Sequence, residues 1–116
     1  MQYLLLIYED ETAYGDKHDS PAVADIVKRH MAFGGEIGEA RKGGAGLHAT
    51  SMATTIVTRG TAQTIHDGPF AETKEQLGGF YLIDVPDLDA AIAIAKKLPL
   101  HADGSVEIRP LLGGTD

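Results

Sequence analysis

Gly79-Phe80-Tyr81-Leu82-Ile83-Asp84-Val85 is an apolar run that stops at Pro86 and passes directly into Asp87-Leu88-Asp89-Ala90-Ala91. Aromatic and β-branched residues at that density read as a strand, and Pro86 ends it. Asp87 has the place and side chain of a helix N-cap, while Asp89 suits the positive end of the helix dipole. Leu88, Ala91, Ile92, Ala95 and Leu98 recur near a 3.6 period as a buried stripe, and Pro99 stops the helix. A strand delivered straight into an amphipathic helix is half of a split βαβ unit, so the other half must lie upstream.

Upstream, Tyr3-Leu4-Leu5-Leu6-Ile7-Tyr8 is apolar on both alternating faces and reads as a central strand. The polar run from Glu9 to Ser20 is a loop. Ser20-Pro21 then pairs an N-cap with a proline at the first helical position. Val23, Ile26, Val27, Met31, Gly34, Ile37 and Gly38 follow at helical spacing, so the helix is expected to reach about Arg41, with Gly43-Gly44 ending it. Gly34-Gly35 inside a helix costs about 1 kcal/mol per glycine relative to alanine, which calls for a bend or a close neighbour. Leu47 to Ser51 reads as a short extended piece. Thr54 to Arg59 is a β-branched strand, Gly60-Thr61 turns the chain, and Gln63 to His66 returns as its hairpin partner. Near the end, Ser105-Val106-Glu107-Ile108-Arg109 alternates as a half-exposed strand, and Pro110 onward is a tail.

This order predicts a single α+β domain over residues 1–116, a ferredoxin-like (split βαβ) antiparallel sheet with both helices on one face and a hairpin added in the middle. The second face of such a sheet needs a cover, and a chain of 116 residues has nothing left to supply one. A homodimer joined sheet to sheet is the expected solution.

Composition excludes several function classes. Without cysteine there is no disulfide framework, thiolate nucleophile or cysteine-bearing zinc site. The net charge of −7 and the absence of any long Lys/Arg cluster argue against nucleic-acid binding. No basic segment precedes an apolar one at the start, and the longest apolar run, Leu4 to Tyr8, is far too short to span a bilayer. A cytoplasmic protein with no membrane contact is expected. The glycines form neither a G-x-G-x-x-G nor a phosphate-cradling loop. Five histidines (His18, His30, His48, His66, His101) show no metal-ligand spacing. Neither a metal nor another cofactor is called for.

The densest chemistry lies in the connection His66-Asp67-Gly68-Pro69-Phe70-Ala71-Glu72-Thr73-Lys74-Glu75. Loops held between strands are where function tends to sit. Asp67-Gly68-Pro69 is first a turn, in which Asp67 bonds its own backbone and Gly68 admits positive φ. Its second reading is a carboxylate at a strand end, with Asp67 or His66 as a general base. Phe70 needs burial, which would pin the loop and fix Glu72, Lys74 and Glu75. Lys74 would then hold an anionic ligand group or pair with Glu72 or Glu75. Glu107 and Arg109 share one strand face opposite Val106 and Ile108, where they form an ion pair at the dimer face or line a polar pocket. Tyr3, Tyr8 and Tyr81 read as core or pocket walls.

At Asp67 to Glu75, followed by Gly78-Gly79-Phe80-Tyr81-Leu82-Ile83-Asp84, the sequence resembles the YCII-related family, in the branch called DGPF-domain proteins. The likeness continues through Asp87 to Ala91, Val106 to Pro110 and Tyr3 to Tyr8, and so covers essentially the whole chain. The resemblance implies a dimeric α+β barrel of two ferredoxin-like units, but no established reaction. Some relatives are encoded beside, or fused to, extracytoplasmic-function sigma factors, and an enzymatic role has been proposed for others from a His and an Asp in a cleft. His66 stands where this branch often has a small or hydroxyl residue.

Two functions follow. The first is a cofactor-independent enzyme moving a proton on a small polar molecule, with Asp67 and His66 as catalytic residues and Lys74 or Arg109 stabilising negative charge. Phe70, Glu72, Lys74, Glu75, Tyr81, Glu107 and Arg109 are the expected ligand-binding residues, for a small anionic or polar ligand. The second is a non-catalytic ligand-binding or accessory module linked to sigma-factor regulation. The absence of any recognisable nucleophile arrangement leans toward the second.

Overall fold

The computed structural model describes residues 1–15 and 20–113. Its elements run β1 (Gln2–Glu9), α1 (Pro21–Ile37), β2 (Arg41–Gly46), β3 (Thr54–Arg59), β4 (Ala62–Asp67), β5 (Gln76–Asp84), α2 (Leu88–Lys96) and β6 (Gly104–Pro110). The main sheet is antiparallel in the order β2-β5-β1-β6, and β3 with β4 forms a separate hairpin. Without that hairpin the order is that of a split βαβ unit, so the fold is α+β and ferredoxin-like. The central position of β1 agrees with its continuous apolar sequence.

Alternation along the strands separates two faces. Tyr3, Leu5 and Ile7 of β1, with Tyr81, Ile83 and the following Val85, form the core with Phe33 of α1 and Ala91 and Leu98 of α2. Leu5 and Ile83 are fully buried, and each such side chain contributes about 1.5–3 kcal/mol of hydrophobic stabilisation. Val106 and Ile108 of β6 pack against this core. Leu4, Leu6, Phe80 and Leu82 lie on the opposite face and are half-buried.

The helix starts are as the sequence predicts. Ser20 caps α1 by accepting from the Val23 N–H, with Pro21 first in the helix, and Asp87 caps α2 by accepting from the Ala90 N–H at 2.9 Å. The stripe of α2 is shifted from expectation. Leu88 in the first turn is half-exposed, and Ile94 packs on the core in its place.

The largest correction concerns Gly43-Gly44, which do not end α1. The helix ends at Ile37, where Gly38 caps it with φ +56 and donates its N–H to the Gly34 carbonyl. After one 3-10 turn the chain enters β2, which contains both glycines. Glycine here reports close approach rather than a stop. A Cβ on Gly44 would lie 2.8 Å from the Phe80 carbonyl oxygen and 2.9 Å from Tyr81 Cδ1. The segment from Leu47 to Ser51 is not a strand. Leu47 donates its N–H to the Gly78 carbonyl at 2.9 Å, and a 3-10 turn covers Thr50–Met52. Within the predicted loop Glu9 to Ser20, Glu11–Tyr14 form another 3-10 turn, and residues 16–19, including His18, lie outside the described residues.

Neither mid-helix glycine answers a steric need. A Cβ on Gly35 meets nothing within 4 Å, and one on Gly34 makes only ordinary contact with Arg41 Cδ at 3.8 Å. Gly35→Ala is therefore expected to stabilise the fold by about 0.5–1 kcal/mol. Gly44→Ala, by contrast, is expected to cost about 1–3 kcal/mol through overpacking. Urea denaturation of both variants beside the wild type checks the two signs.

Candidate functional site

On the helix-facing side of the β2–β5 edge, the register places Gly46 beside Gly79 and Gly44 beside Tyr81. Gly44, Gly46 and Gly79 present no side chains there, so the stripe of α1 above them has little to touch. The result is a cleft of about 910 Å³, in the size range of small-molecule sites. Val23, Ile26, Val27 and Met31 of α1 wall one side, with Leu47 and Met52 among the residues opposite. Val27 and Met31 are 51% and 73% exposed for this reason, although helical periodicity marks them as core residues.

Three polar side chains converge in the cleft. His30 of α1 lies with Nδ1 2.8 Å from the Tyr81 hydroxyl, and the two rings stack with centroids 5.7 Å apart. Phe33 holds the other side of Tyr81 in an edge contact at 5.2 Å. Arg41, the first residue of β2, carries its guanidinium 5.7 Å from the centre of the Tyr81 ring, within cation–π range. Burial depresses the His30 pKa below the usual histidine value, the Glu9 carboxylate opposes that shift, and Arg29 adds to it. Burial raises the Tyr81 pKa, with Arg41 opposing. At pH 7 the centre is thus a neutral imidazole and a neutral phenol next to a cation.

The carboxylates of the cleft are occupied by donors. Buried Glu9 accepts from the Tyr14 hydroxyl at 2.7 Å and from the backbone N–H groups of His101 and Ala102 at 2.8 and 3.0 Å. A buried carboxylate without such partners would be expensive. Burial and this bond to Glu9 push the Tyr14 pKa well above the usual tyrosine value. Glu11 accepts from the backbone N–H of Thr50 at 3.0 Å and from the Thr50 hydroxyl. Its own N–H donates to Gln76 Oε1 at 2.8 Å.

The residues of the central loop lie elsewhere. Asp67 and His66 sit exposed at the end of β4, opposite Thr54 and Thr55, with His66 Nε2 3.5 Å from the Pro69 carbonyl oxygen. Asp67 does not bond its own backbone as expected. Instead Gly68, at φ +107, donates its N–H to the Ala53 carbonyl at 2.7 Å, and its carbonyl accepts from the Thr55 hydroxyl at 2.7 Å. Phe70 does not pin the loop either, being 72% exposed. Hydrogen bonds hold it: Thr73 donates to the Glu75 carbonyl, Gln76 to the Thr73 carbonyl, and Ser105 to Glu75 Oε1 at 2.9 Å.

Lys74 pairs with neither Glu72 nor Glu75 among the described residues. Glu72 lines a smaller hollow of about 360 Å³, which shares Glu11, Ser51 and Gln76 with the main cleft. Glu107 and Arg109 lie on the sheet face away from the helices, 3.4 Å apart, and the Tyr8 hydroxyl donates to Glu107 at 3.3 Å. Of the residues singled out in the sequence as binding a ligand, Tyr81 alone lines the main cleft. Among the described residues, no group of three His, Asp or Glu side chains could hold a metal ion.

Sequence reasoning passed over His30 and Arg41, yet a signal exists. His30 falls four residues after Ile26 and three before Phe33, so it shares the stripe of the buried helix residues. A depressed histidine pKa sets a direction for pH dependence. The unfolded chain binds a proton at His30 below about pH 6.5 more readily than the folded chain does. This contribution to stability is therefore present above that pH and lost as pH falls through the folded value. Wild type is expected to lose more stability between pH 7.5 and 5 than His30→Gln, and the His30 ring resonances should titrate below pH 6.5, as read by denaturation and by NMR.

Comparison with known proteins identifies the family. The model of the YCII-related domain matches residues 1–113. An uncharacterised protein of Rhizobium meliloti (strain 1021) is 39% identical over 118 residues, spanning 96% of this chain and 92% of the relative. The chain therefore belongs to the YCII-related family.

Proposed function

We propose that the cleft under α1 binds a small molecule and that His30 moves a proton on it without a cofactor. The contact between His30 and Tyr81 carries this reading. It fixes one ring nitrogen by a 2.8 Å hydrogen bond in a mostly apolar cleft, and a depressed pKa leaves the imidazole neutral at pH 7. A neutral, oriented imidazole is a competent general base. Tyr81 orients the ring, and Arg41 faces any negative charge that develops. His66 and Asp67 take no step in this reading, because both stand outside the cleft.

One observation favours a binding module without chemistry. The partner of His30 is a phenol and not a carboxylate, so no direct ion pair would support the imidazolium that a proton transfer creates. In that case the cleft holds a metabolite and the protein acts through a partner, with sigma-factor regulation as one such setting.

A substitution that fills the cleft tests the site without touching its polar groups. A Cβ on Gly46 has nothing within 4 Å, so Gly46→Leu extends into open space. Wild type is expected to gain thermal stability from some members of a carbonyl-compound library while Gly46→Leu gains none, at equal unliganded melting temperatures. Equal responses from both proteins would remove the cleft as the site. For a compound that binds, deuterium uptake from D2O at its acidic C–H, lost in His30→Gln, identifies the enzyme. Binding without exchange identifies the module.

The same reading places the protein in the cytoplasm as a homodimer, with the half-buried face of Leu4, Leu6, Phe80 and Leu82 covered by a second copy. No helix among the described residues is long and apolar enough to cross a membrane. Light scattering is expected to give twice the chain mass, and Leu6→Glu is expected to give the mass of one chain.

A further inference from the structure

The charges of the cleft bear on the chemistry of its ligand, an inference that rests on the cleft being the binding site. Among the described residues, Arg41 is the one Lys or Arg side chain lining it. Among the described residues it pairs with no carboxylate, and its one hydrogen bond is a long contact of 3.5 Å to the Gly44 carbonyl. Glu9 and Glu11 also line the cleft, but their oxygens are turned to donors from Tyr14, His101, Ala102 and Thr50. Burial leaves His30 neutral at pH 7, so it adds no second cation. The remaining walls contributed by α1 are hydrocarbon and thioether.

We infer that the cleft takes a monoanionic amphiphile: an apolar body along α1 and a single carboxylate seated on Arg41 beside His30 and Tyr81. Among the described residues one guanidinium without a carboxylate partner faces the cleft, which suits one negative charge, and a guanidinium matches the fork of a carboxylate. Two nearby carboxylates disfavour a dianion such as a phosphate monoester. An ammonium head would meet Arg41 with like charge. A neutral head would gain the apolar walls but leave the guanidinium without an anion. The neutral centre suits such a ligand as well, because His30 can approach the carbon beside the carboxylate without competing for it.

Three soluble probes with one body separate these cases: 4-phenylbutyrate, 4-phenylbutan-1-ol and 4-phenylbutylammonium at pH 7.5, with the His30 ring resonance as reporter. The butyrate is expected to move that resonance and to bind about tenfold or more tighter than the alcohol, with the ammonium weakest. Arg41→Gln should abolish the preference for the anion, Arg41→Lys should retain part of it, and the control Lys42→Gln should leave it whole. Melting temperatures of the variants confirm that each is folded. An alcohol or ammonium that moves His30 and binds as tightly as the butyrate overturns the inference while leaving the cleft a binding site. So does a preference that survives Arg41→Gln or vanishes in Arg41→Lys. If none of the three moves His30, the inference is also overturned, and the comparison of Gly46→Leu with wild type then decides separately whether the cleft binds anything.

Discussion

The close contact of β2 with β5 is the constraint on which the site depends. At Gly44 the strands leave no room for a side chain, since a Cβ would press on the backbone oxygen of Phe80 and the ring of Tyr81 together. Gly79 is nearly as tight, with a Cβ there reaching 3.0 Å from the Ala45 carbonyl oxygen. A sheet edge packed glycine against glycine gives up hydrophobic stabilisation that larger side chains would supply. What it gains is a floor without side chains beneath an apolar helix. The cleft lies over that floor, and the same contact sets the Tyr81 ring where His30 and Arg41 can both reach it.

A second constraint holds the cleft open at its ends. Glu9 stands at the end of β1, where its carboxylate gathers the Tyr14 hydroxyl from the first 3-10 turn and two backbone donors from the segment after α2. Glu11, two residues on, fastens the turn at Thr50 and meets Gln76 at the start of β5. Three connections that would otherwise be independent are thereby joined to the core strand. Charge-assisted bonds of this kind contribute about 1.5–3 kcal/mol each, more than their surface equivalents. They also answer why two carboxylates can line a cleft without making it a cation site, because donors from Tyr14, His101, Ala102 and Thr50 already bond to their oxygens.

How legible all this was in the sequence varies with the physics involved. Both helix starts were readable, because Ser20-Pro21 and Asp87 act locally through caps that need no tertiary partner. The strands of the core were readable from Tyr3–Tyr8 and Gly79–Val85, whose apolar density survives any arrangement. β2 was not, because a strand made of Arg41-Lys42-Gly43-Gly44-Ala45-Gly46 has no hydrophobic pattern and owes its pairing to what it packs against. The site followed that failure. With Gly43-Gly44 taken as a helix stop, Arg41 belonged to the last helical turn and nothing faced His30. The loop from His66 to Glu75 attracted the functional reading because its charges are dense in sequence, whereas the cleft residues are scattered over α1, β2 and β5 and meet only through the fold.

The position of that loop still has a physical role beside the cleft. Its hollow is bounded by Gly68, Pro69, Ala71, Glu72 and Thr73, and it touches the main cleft through Glu11, Ser51 and Gln76. Gln76 links them directly, since its side-chain nitrogen donates to the Thr73 carbonyl of the loop and its oxygen accepts from the backbone of Glu11. Glu75 meanwhile receives Ser105 from the face of the sheet away from the helices. The loop therefore bridges the two faces at the start of β5, with one residue bonded to each. A shift of the loop would move Gln76, and through it Glu11 and the Thr50 turn that borders the cleft. The loop thus meets the cleft only at its edge, through the Thr73 carbonyl and Gln76, while His30, Tyr81 and Arg41 meet one another inside it.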